Sequence, residues 1–186
     1  MRIILIFISV LIVATSCKSK YKKAADEIVA NAPAPTNMNV GKETYTLYIP
    51  DGWTTLHRNN YGVDYYYLIA PKTVDDPNTS VNVANEFMQN LSLDDYLQGT
   101  IQSVKKAIPS AVILGQGEIT ANGVNGVWYS YYMAPQGIQA TLVSYIFPKD
   151  GVAYILTAGT QTKDAAKYRS TFDTIARSFK FNQNQQ

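Results

Sequence analysis

The chain has 186 residues, with 16 basic and 14 acidic side chains and a single cysteine, which excludes an internal disulfide. Its apolar fraction of 46% suits one globular domain with additional segments. Residues 17–42 carry five lysines against two acidic residues, whereas residues 43–186 carry ten basic and twelve acidic residues. A phosphate-binding domain needs a basic face of its own, so this mildly acidic domain is not expected to bind nucleic acid.

The first 17 residues have the pattern of a bacterial secretion signal. Arg2 precedes the apolar run Ile3–Val13, which is too short to span a hydrocarbon core of about 30 Å. The small residues Ala14–Ser16 then lead to Cys17, which resembles a lipobox, with alanine at position 14 where leucine is usual. Less strict lipoboxes that end in Ser-Cys, as Ser16-Cys17 does here, resemble those of Bacteroidota. The resemblance implies a signal peptide at 1–16 and a lipid on Cys17, palmitate included. The alternative is an ordinary signal or anchor with a chance cysteine.

Residues 17–42 are predicted to form a lipidated N-terminus and a tether. Lysines concentrated just behind Cys17 would lie at the lipid headgroups, although they could equally be a solvated charge run. The prolines that follow favour an extended, semi-rigid chain. No acidic cluster follows Cys17 of the kind that resembles a surface-export signal. We therefore expect a domain anchored to a membrane of the cell envelope and facing the periplasm.

The stretch from Gly126 to Thr160 predicts a β-meander. Three runs rich in β-branched and aromatic residues, Val127–Met133, Ile138–Phe147 and Val152–Thr157, are separated by turns that contain proline and glycine. Both alternate sets of residues in each run are apolar, whereas a sheet with one wet face would alternate between apolar and polar. The sheet is therefore expected to be covered on both sides.

The rest of the domain is predicted to add strands and two amphipathic helices. The strands are Thr44–Ile49, Val63–Ala70, Ser80–Phe87 and Ala111–Ile119. One helix begins at Ser92, with Asp95 completing a capping box, and stops at Pro109; the other is Lys163–Ser178. The fold class is thus α+β, an antiparallel sheet of six or seven strands with helices on both faces. We assign it to residues 43–181, followed by a polar tail at 182–186.

Five segments carry a resemblance to a known family. They are YTLYIPDGW (45–53), LSLDDY (91–96), ITANGVNGVWYSYY (119–132), FPKDGVAYILTAGT (147–160) and YRSTFDTIARSFKF (168–181). In order and spacing they resemble PsbP-like and DcrB-like domains. That group includes an extrinsic subunit of photosystem II, bacterial lipoproteins and a eukaryotic Ran-binding import factor. The resemblance implies an α/β/α sandwich that docks to other macromolecules, and it supplies no catalytic residue.

The polar residues do not assemble a recognisable reaction centre in the sequence. His57 is the only histidine, and a base or metal ligand there would need partners. Asp75-Asp76 with Asn78 could offer oxygens to Ca²⁺, but the spacing of an EF-hand is missing, and a turn is the simpler interpretation. Asp94-Asp95 fits the first turn of a helix. Gly115-Gln116-Gly117 lacks the third glycine of a dinucleotide loop. We predict no catalytic residue, cofactor or metal.

Fourteen tyrosines are the remaining unusual feature. They cluster at Tyr65-Tyr66-Tyr67 and around Trp128, where they could either pack a two-faced sheet or form a binding surface. Three hypotheses follow. The first is a non-enzymatic envelope lipoprotein whose domain binds or helps assemble a protein partner. The second is a periplasmic module that binds a small glycan or lipid in an aromatic pocket. The third is an enzyme, which would need polar side chains converging near His57 or Asp75-Asp76.

Overall fold

The computed structural model describes residues 45–60, 63–76 and 78–182. The elements are β1 (Tyr45–Thr46), β2 (Thr54–Asn60), β3 (Val63–Ile69), β4 (Ser80–Phe87), α1 (Leu93–Ala107), β5 (Val112–Ala121), β6 (Val124–Met133), β7 (Ala140–Lys149), β8 (Val152–Gln161), α2 (Ala165–Ser178) and β9 (Lys180–Phe181). Short 3-10 helices occupy Pro135–Gly137 and Thr162–Asp164. The predicted signal peptide, Cys17, the tether and residues 183–186 of the tail lie outside the described residues.

Seven strands form one antiparallel sheet in the order β2-β3-β4-β8-β7-β6-β5, and β1 pairs with β9 in a separate two-stranded sheet. The predicted meander is present as β6, β7 and β8, which are consecutive neighbours in the sheet. Each face of the sheet carries one helix and its own buried cluster. The predicted fold class, an antiparallel sheet with helices on both faces, is confirmed.

Helix α1 covers one face of the sheet, called here the α1 face. Ser92 caps the helix as predicted, because the backbone N–H of Asp95 donates to Ser92 Oγ over 3.1 Å. The apolar stripe of the helix packs against alternate residues of the meander. The buried members of this cluster include Leu97, Ile101, Val104, Ile108, Val127, Tyr129, Tyr131 and Ile146. The helical period of α1 and the two-residue period of the strands therefore meet in one apolar layer.

Helix α2 covers the opposite face, the α2 face, and an aromatic stack closes its end. Phe179, just after the helix, is fully buried and its ring stacks on Phe147 with centroids 4.7 Å apart. Tyr45 stacks on Phe179 at 5.3 Å, and Phe181 meets the same ring edge-on at 4.9 Å. Phe179 thus joins α2, β1, β7 and β9 in one cluster.

Two sequence predictions differ from the structure at the start of the domain. In the described part of the predicted strand Thr44–Ile49, only β1 is paired, and its partner β9 is two residues long. Beyond it, Tyr48 turns away and its backbone N–H donates to Ser178 Oγ at 2.8 Å. Strand β2 was not predicted, since its sequence TTLHRNN is polar. An edge strand needs no apolar alternation when most of its side chains face solvent.

The turn between β5 and β6 is fixed by Asn122. This residue adopts a positive φ of 47°, which asparagine tolerates better than most residues. Its side-chain amide donates to the carbonyls of Ser178 and Phe179 over 3.1 and 3.0 Å, and lies 3.4 Å from that of Arg177. The hairpin therefore supplies hydrogen-bond donors to the last carbonyls of α2, which have no N–H partner within the helix.

Asn122→Gly is expected to lower the free energy of unfolding by about 1–2 kcal/mol, although glycine satisfies the turn. The loss would come from the carbonyls at the end of α2, measured by urea denaturation. Asn122→Asp is the matched variant, because aspartate tolerates the same φ but presents acceptor oxygens to those carbonyls. It should lose at least as much stability. Two variants both as stable as the wild type would show that the side-chain bonds contribute nothing.

Candidate functional site

A groove with a volume of about 350 Å³ opens on the α2 face, between the first turns of α2 and strands β5 to β8. The residues that shape it include Leu114, Trp128, Val143, Ala166, Arg169 and Phe172. Strands β6 and β7 form its floor, and α2 forms one wall. Its size is at the low end of the range of about 300–1,000 Å³ seen for ligand pockets.

Small residues keep this groove open. Ala165 and Ala166, the first two residues of α2, line it where longer side chains would fill it. On the opposite wall, Gly115 lines the groove, and it lies with Gly117 on one face of β5 beside the indole of Trp128. A Cβ at Gly117 would come within 3.0 Å of Trp128 Nε1, and one at Gly115 within 3.5 Å of the ring. The two glycines thus let the indole lean across β5 towards the edge of the sheet.

Arg169 is the single charged residue among those that line the groove. Its guanidinium carbon lies 4.8 Å from the centroid of the Trp128 ring, which is a cation–π contact. Its Nε donates to both carboxylate oxygens of Asp173, at 3.2 and 3.0 Å. The hydroxyl of Tyr145 donates to the same carboxylate at 2.5 Å. Burial, followed by this hydrogen bond, holds the pKa of Tyr145 well above its ordinary value.

The hydroxyl groups in the groove are largely engaged with the protein. Thr79 donates its one hydroxyl proton to Asp76 at 2.7 Å, so in the 2.6 Å contact between Thr79 and Thr160 the donor is Thr160. Thr141 donates to Thr162 Oγ1 at 3.2 Å. The groove therefore offers a ligand mostly hydrocarbon and aromatic surface, with one guanidinium.

An exposed apolar strand edge adjoins the groove. Val112 and Leu114 at the start of β5 are 55% and 57% exposed. Within the described residues β5 pairs with β6 alone, so one side of its ten-residue backbone has no partner strand there. Glu118 is the one charged side chain of this strand. We call Val112, Leu114 and the outer backbone of β5 the β5 edge.

A second polar cluster lies buried on the α1 face. Glu86 of β4 is 6% exposed and accepts a hydrogen bond from the hydroxyl of Tyr96 of α1. Burial raises the pKa of Glu86 to about 7, with the Tyr96 bond acting in the opposite direction. Nearby, burial raises the pKa of Tyr129 to about 12, and a hydrogen bond with Ser144 opposes that shift. Ser144 in turn bonds Thr157 at 3.1 Å.

The residues considered for catalysis are not brought together. His57 is exposed on edge strand β2, where its backbone is paired opposite Tyr66. Asp75 is exposed, and its carbonyl accepts from Gln161 Nε2 at 3.0 Å. Asp76 is 3% exposed, with its carboxylate held by Thr79. The turn interpretation of this segment therefore has a physical basis, since Asp76 ties the loop to the sheet.

The other motifs also have structural roles. The carboxylate of Asp95 accepts from Ser92 Oγ at 2.8 Å, and Asp94 lies beside it in the first turn of α1. Gly115 and Gly117 belong to β5 and not to a phosphate-binding loop. Within the described ranges, no three His, Cys, Asp or Glu side chains are grouped so that they could hold a metal ion.

The tyrosine clusters are mainly core. Tyr65 is 6% exposed, and Tyr129 and Tyr131 are buried and stacked with centroids 5.7 Å apart. Tyr66 and Tyr67 are half-buried. The aromatic residue that lines the groove is Trp128 instead.

Sequence reasoning did not identify Trp128, Arg169 or Glu86 as site residues. Two signals for them were present. Glycines two residues apart on one face of β5 indicate that a neighbouring side chain crosses the strand. A glutamate within the predicted strand Ser80–Phe87 indicates a buried carboxyl, once both faces of the sheet are expected to be covered.

Neither helix in the described residues is long and apolar enough to cross a bilayer.

The seven-stranded sheet, the buried cluster on each of its faces and the groove under α2 define a small α/β/α domain. The sequence model of the PsbP family matches residues 39–181. The chain therefore belongs to the PsbP family, as its sequence resemblance implied. A comparison with curated proteins found no match.

Solved structures share this fold at low sequence identity. LpqN of Mycobacterium tuberculosis, described as involved in cell envelope biogenesis, has a TM-score of 0.60 at 16% identity, covering 86% of this chain and 96% of its own. Cyanobacterial PsbP from Synechocystis sp. PCC 6803 has a TM-score of 0.55 at 15% identity, covering 81% and 100%. A protein of unknown function from Pseudomonas aeruginosa gives 0.55 at 17%, covering 72% and 94%.

Proposed function

We propose that this protein is a non-enzymatic lipoprotein, anchored to a membrane of the cell envelope through lipid on Cys17, whose PsbP-family domain binds an envelope protein. The observation that carries the proposal is the β5 edge, where Val112 and Leu114 expose more than half of their surface. The description of LpqN as a cell envelope biogenesis protein supports an envelope role for a domain of this fold.

The partner surface that fits the β5 edge is an extended apolar segment. An added strand would hydrogen-bond to the outer backbone of β5, and its alternate side chains would meet Leu114 and the Trp128 indole. Lysine and proline, which oppose such pairing, are absent from β5. A β-bulge between Ile113 and Gly115 interrupts its register with β6 at Leu114, so the added strand would pair on either side of that residue. The one charged residue of β5, Glu118, lies in the second half of the strand, so no charge lies near Val112 and Leu114.

The test is photocrosslinking of the full-length lipoprotein in intact cells, with a photoreactive phenylalanine at position 114. One envelope protein is expected to be captured, and its crosslinked peptide should be an apolar segment. The matched control places the same group at Val74, which is fully exposed in a loop and should not capture that protein. Adding Cys17→Ala should abolish palmitate labelling and the capture together.

Val112→Lys is expected to remove the crosslink and leave the free energy of unfolding within about 0.5 kcal/mol of the wild type, because the side chain is already exposed. Capture that survives Val112→Lys, or that is equal at positions 74 and 114, would contradict docking at the β5 edge. Palmitate labelling that survives Cys17→Ala would contradict the anchor and leave the docking surface to be judged separately.

A small-ligand module is the second candidate function, and the groove is the observation that favours it. Ligand pockets are typically apolar clefts with few polar groups placed to orient the ligand, and the groove has that composition.

A further inference from the structure

The groove has the surface of a hydrocarbon site. Trp128, Val143 and Phe172 supply its apolar lining, while Thr141 and Thr160 spend their hydroxyl protons on protein acceptors. Because those two hydroxyls can then only accept, the lining offers few hydroxyl donors to a neutral sugar. An alkyl chain needs only contact area. The volume of about 350 Å³ suits one chain better than two.

One end of the groove carries the guanidinium of Arg169, which is ion-paired with Asp173 and has donors that this pair does not use. Both hydrogen bonds that Arg169 makes to Asp173 use Nε. A guanidinium has five N–H donors, four of them on its terminal nitrogens. Within the described chain, these four are left to bind an acceptor at the groove. The Trp128 ring, 4.8 Å from the guanidinium carbon, keeps the group in place. Arginine in this arrangement suits a planar anion such as a carboxylate.

From the lining and the charge together, we infer that the groove binds a single-chain anionic amphiphile of the fatty-acid type. Its carboxylate lies at the terminal nitrogens of Arg169, and its alkyl chain runs along Trp128 towards Phe172. This inference goes beyond the proposed partner and does not depend on it. The two sites share Leu114, which lines the groove and belongs to the β5 edge, whereas Val112 belongs to the edge alone.

The test uses the full-length lipoprotein in nanodiscs of zwitterionic phosphatidylcholine. The probe is a ten-carbon fatty acid with a photoreactive diazirine at its methyl end, and labelled peptides are mapped by mass spectrometry. Label is expected in the peptides of β5, β6 and α2 that line the groove. The primary amide of the same probe, which has no charge, should label at least tenfold less at equal concentration. This comparison requires no variant.

A variant pair then ties the label to the groove. Ala166→Trp fills the groove from the exposed first turn of α2 and should reduce labelling at least tenfold. Ser170→Trp adds the same side chain at an exposed position of α2 outside the groove and should leave labelling unchanged. Val112→Lys should also leave it unchanged, which separates this result from that of the partner experiment.

Label that is spread over the domain, or that persists in Ala166→Trp, would overturn the site. An amide probe that labels the groove as strongly as the acid would overturn the anionic head group. Groove labelling that fades with Ser170→Trp as much as with Ala166→Trp would show a general effect on α2, and would overturn the assignment too.

Discussion

Phe179→Ala is expected to lower the free energy of unfolding by about 3–5 kcal/mol, the largest loss we expect from one substitution. The ring is fully buried and stacks between Phe147 and Tyr45, at 4.7 and 5.3 Å between centroids. Its removal leaves a cavity where α2, β7 and the β1–β9 pair meet. A domain of ordinary stability, about 5–15 kcal/mol, would lose a large part of it. Urea denaturation followed by far-UV circular dichroism measures the change.

Two matched variants test that explanation. Phe179→Leu keeps most of the volume and should lose much less stability than the alanine variant. Phe181→Ala removes a ring of the same cluster that is only half-buried, so its loss should be smaller as well. If Phe179→Ala and Phe181→Ala lower the free energy of unfolding equally, Phe179 does not contribute more to the cluster than its half-buried neighbour, and the explanation is wrong.

Glu86→Gln is expected to stabilise the domain at pH 8 by about 3 kcal/mol and to have little effect near pH 4.5. The folded-state pKa of Glu86 is raised to about 7 from an ordinary 4.5, mainly by burial. The folded protein therefore holds the proton more tightly than the unfolded chain. The stability that this protonation contributes is fully present below pH 4.5 and is lost as the pH rises to 7.

The glutamine side chain cannot ionise but can still accept the hydrogen bond from Tyr96. The other titratable groups that influence Glu86 or are influenced by it are Tyr65, Tyr96 and Tyr129, all of which stay neutral in this pH window. Urea denaturation at several pH values from 4.5 to 8 should therefore show a flatter profile in the variant. Glu118→Gln, the same change at an exposed position of β5, is the control and should retain the wild-type slope. Identical profiles for wild type and Glu86→Gln would refute the raised pKa.

Most of the fold could be predicted from local sequence. The strands of the meander are rich in β-branched and aromatic residues and are separated by turn residues, and α1 has both its cap and its apolar stripe. The apolar character of both alternate sets also predicted that each face of the sheet would be covered. Strand β2 has none of these signals. It is held by its pairing with β3, in which Leu56 lies opposite Tyr67. A polar, exposed sequence does not indicate such a pairing.

The groove could not be predicted in the same way, because it depends on residues that are far apart in the chain. Trp128 of β6 meets Arg169 of α2 only after α2 has packed on the sheet. The two alanines that begin α2 carry no sequence signal of the groove, and the glycines of β5 indicate only that a side chain crosses that strand. The partner of Glu86 could not be predicted either, because Tyr96 meets it only after α1 has packed on the sheet.

The β1–β9 pair brings the two ends of the described domain together, since Tyr45 lies opposite Phe181. A chain whose ends meet can be closed by a short linker and reopened at another turn, such as Asp150-Gly151, without crossing the sheet. The same geometry suits the domain for insertion into another protein. Because its two ends lie next to each other, it could be placed within a loop of a host protein without moving the two halves of that loop apart.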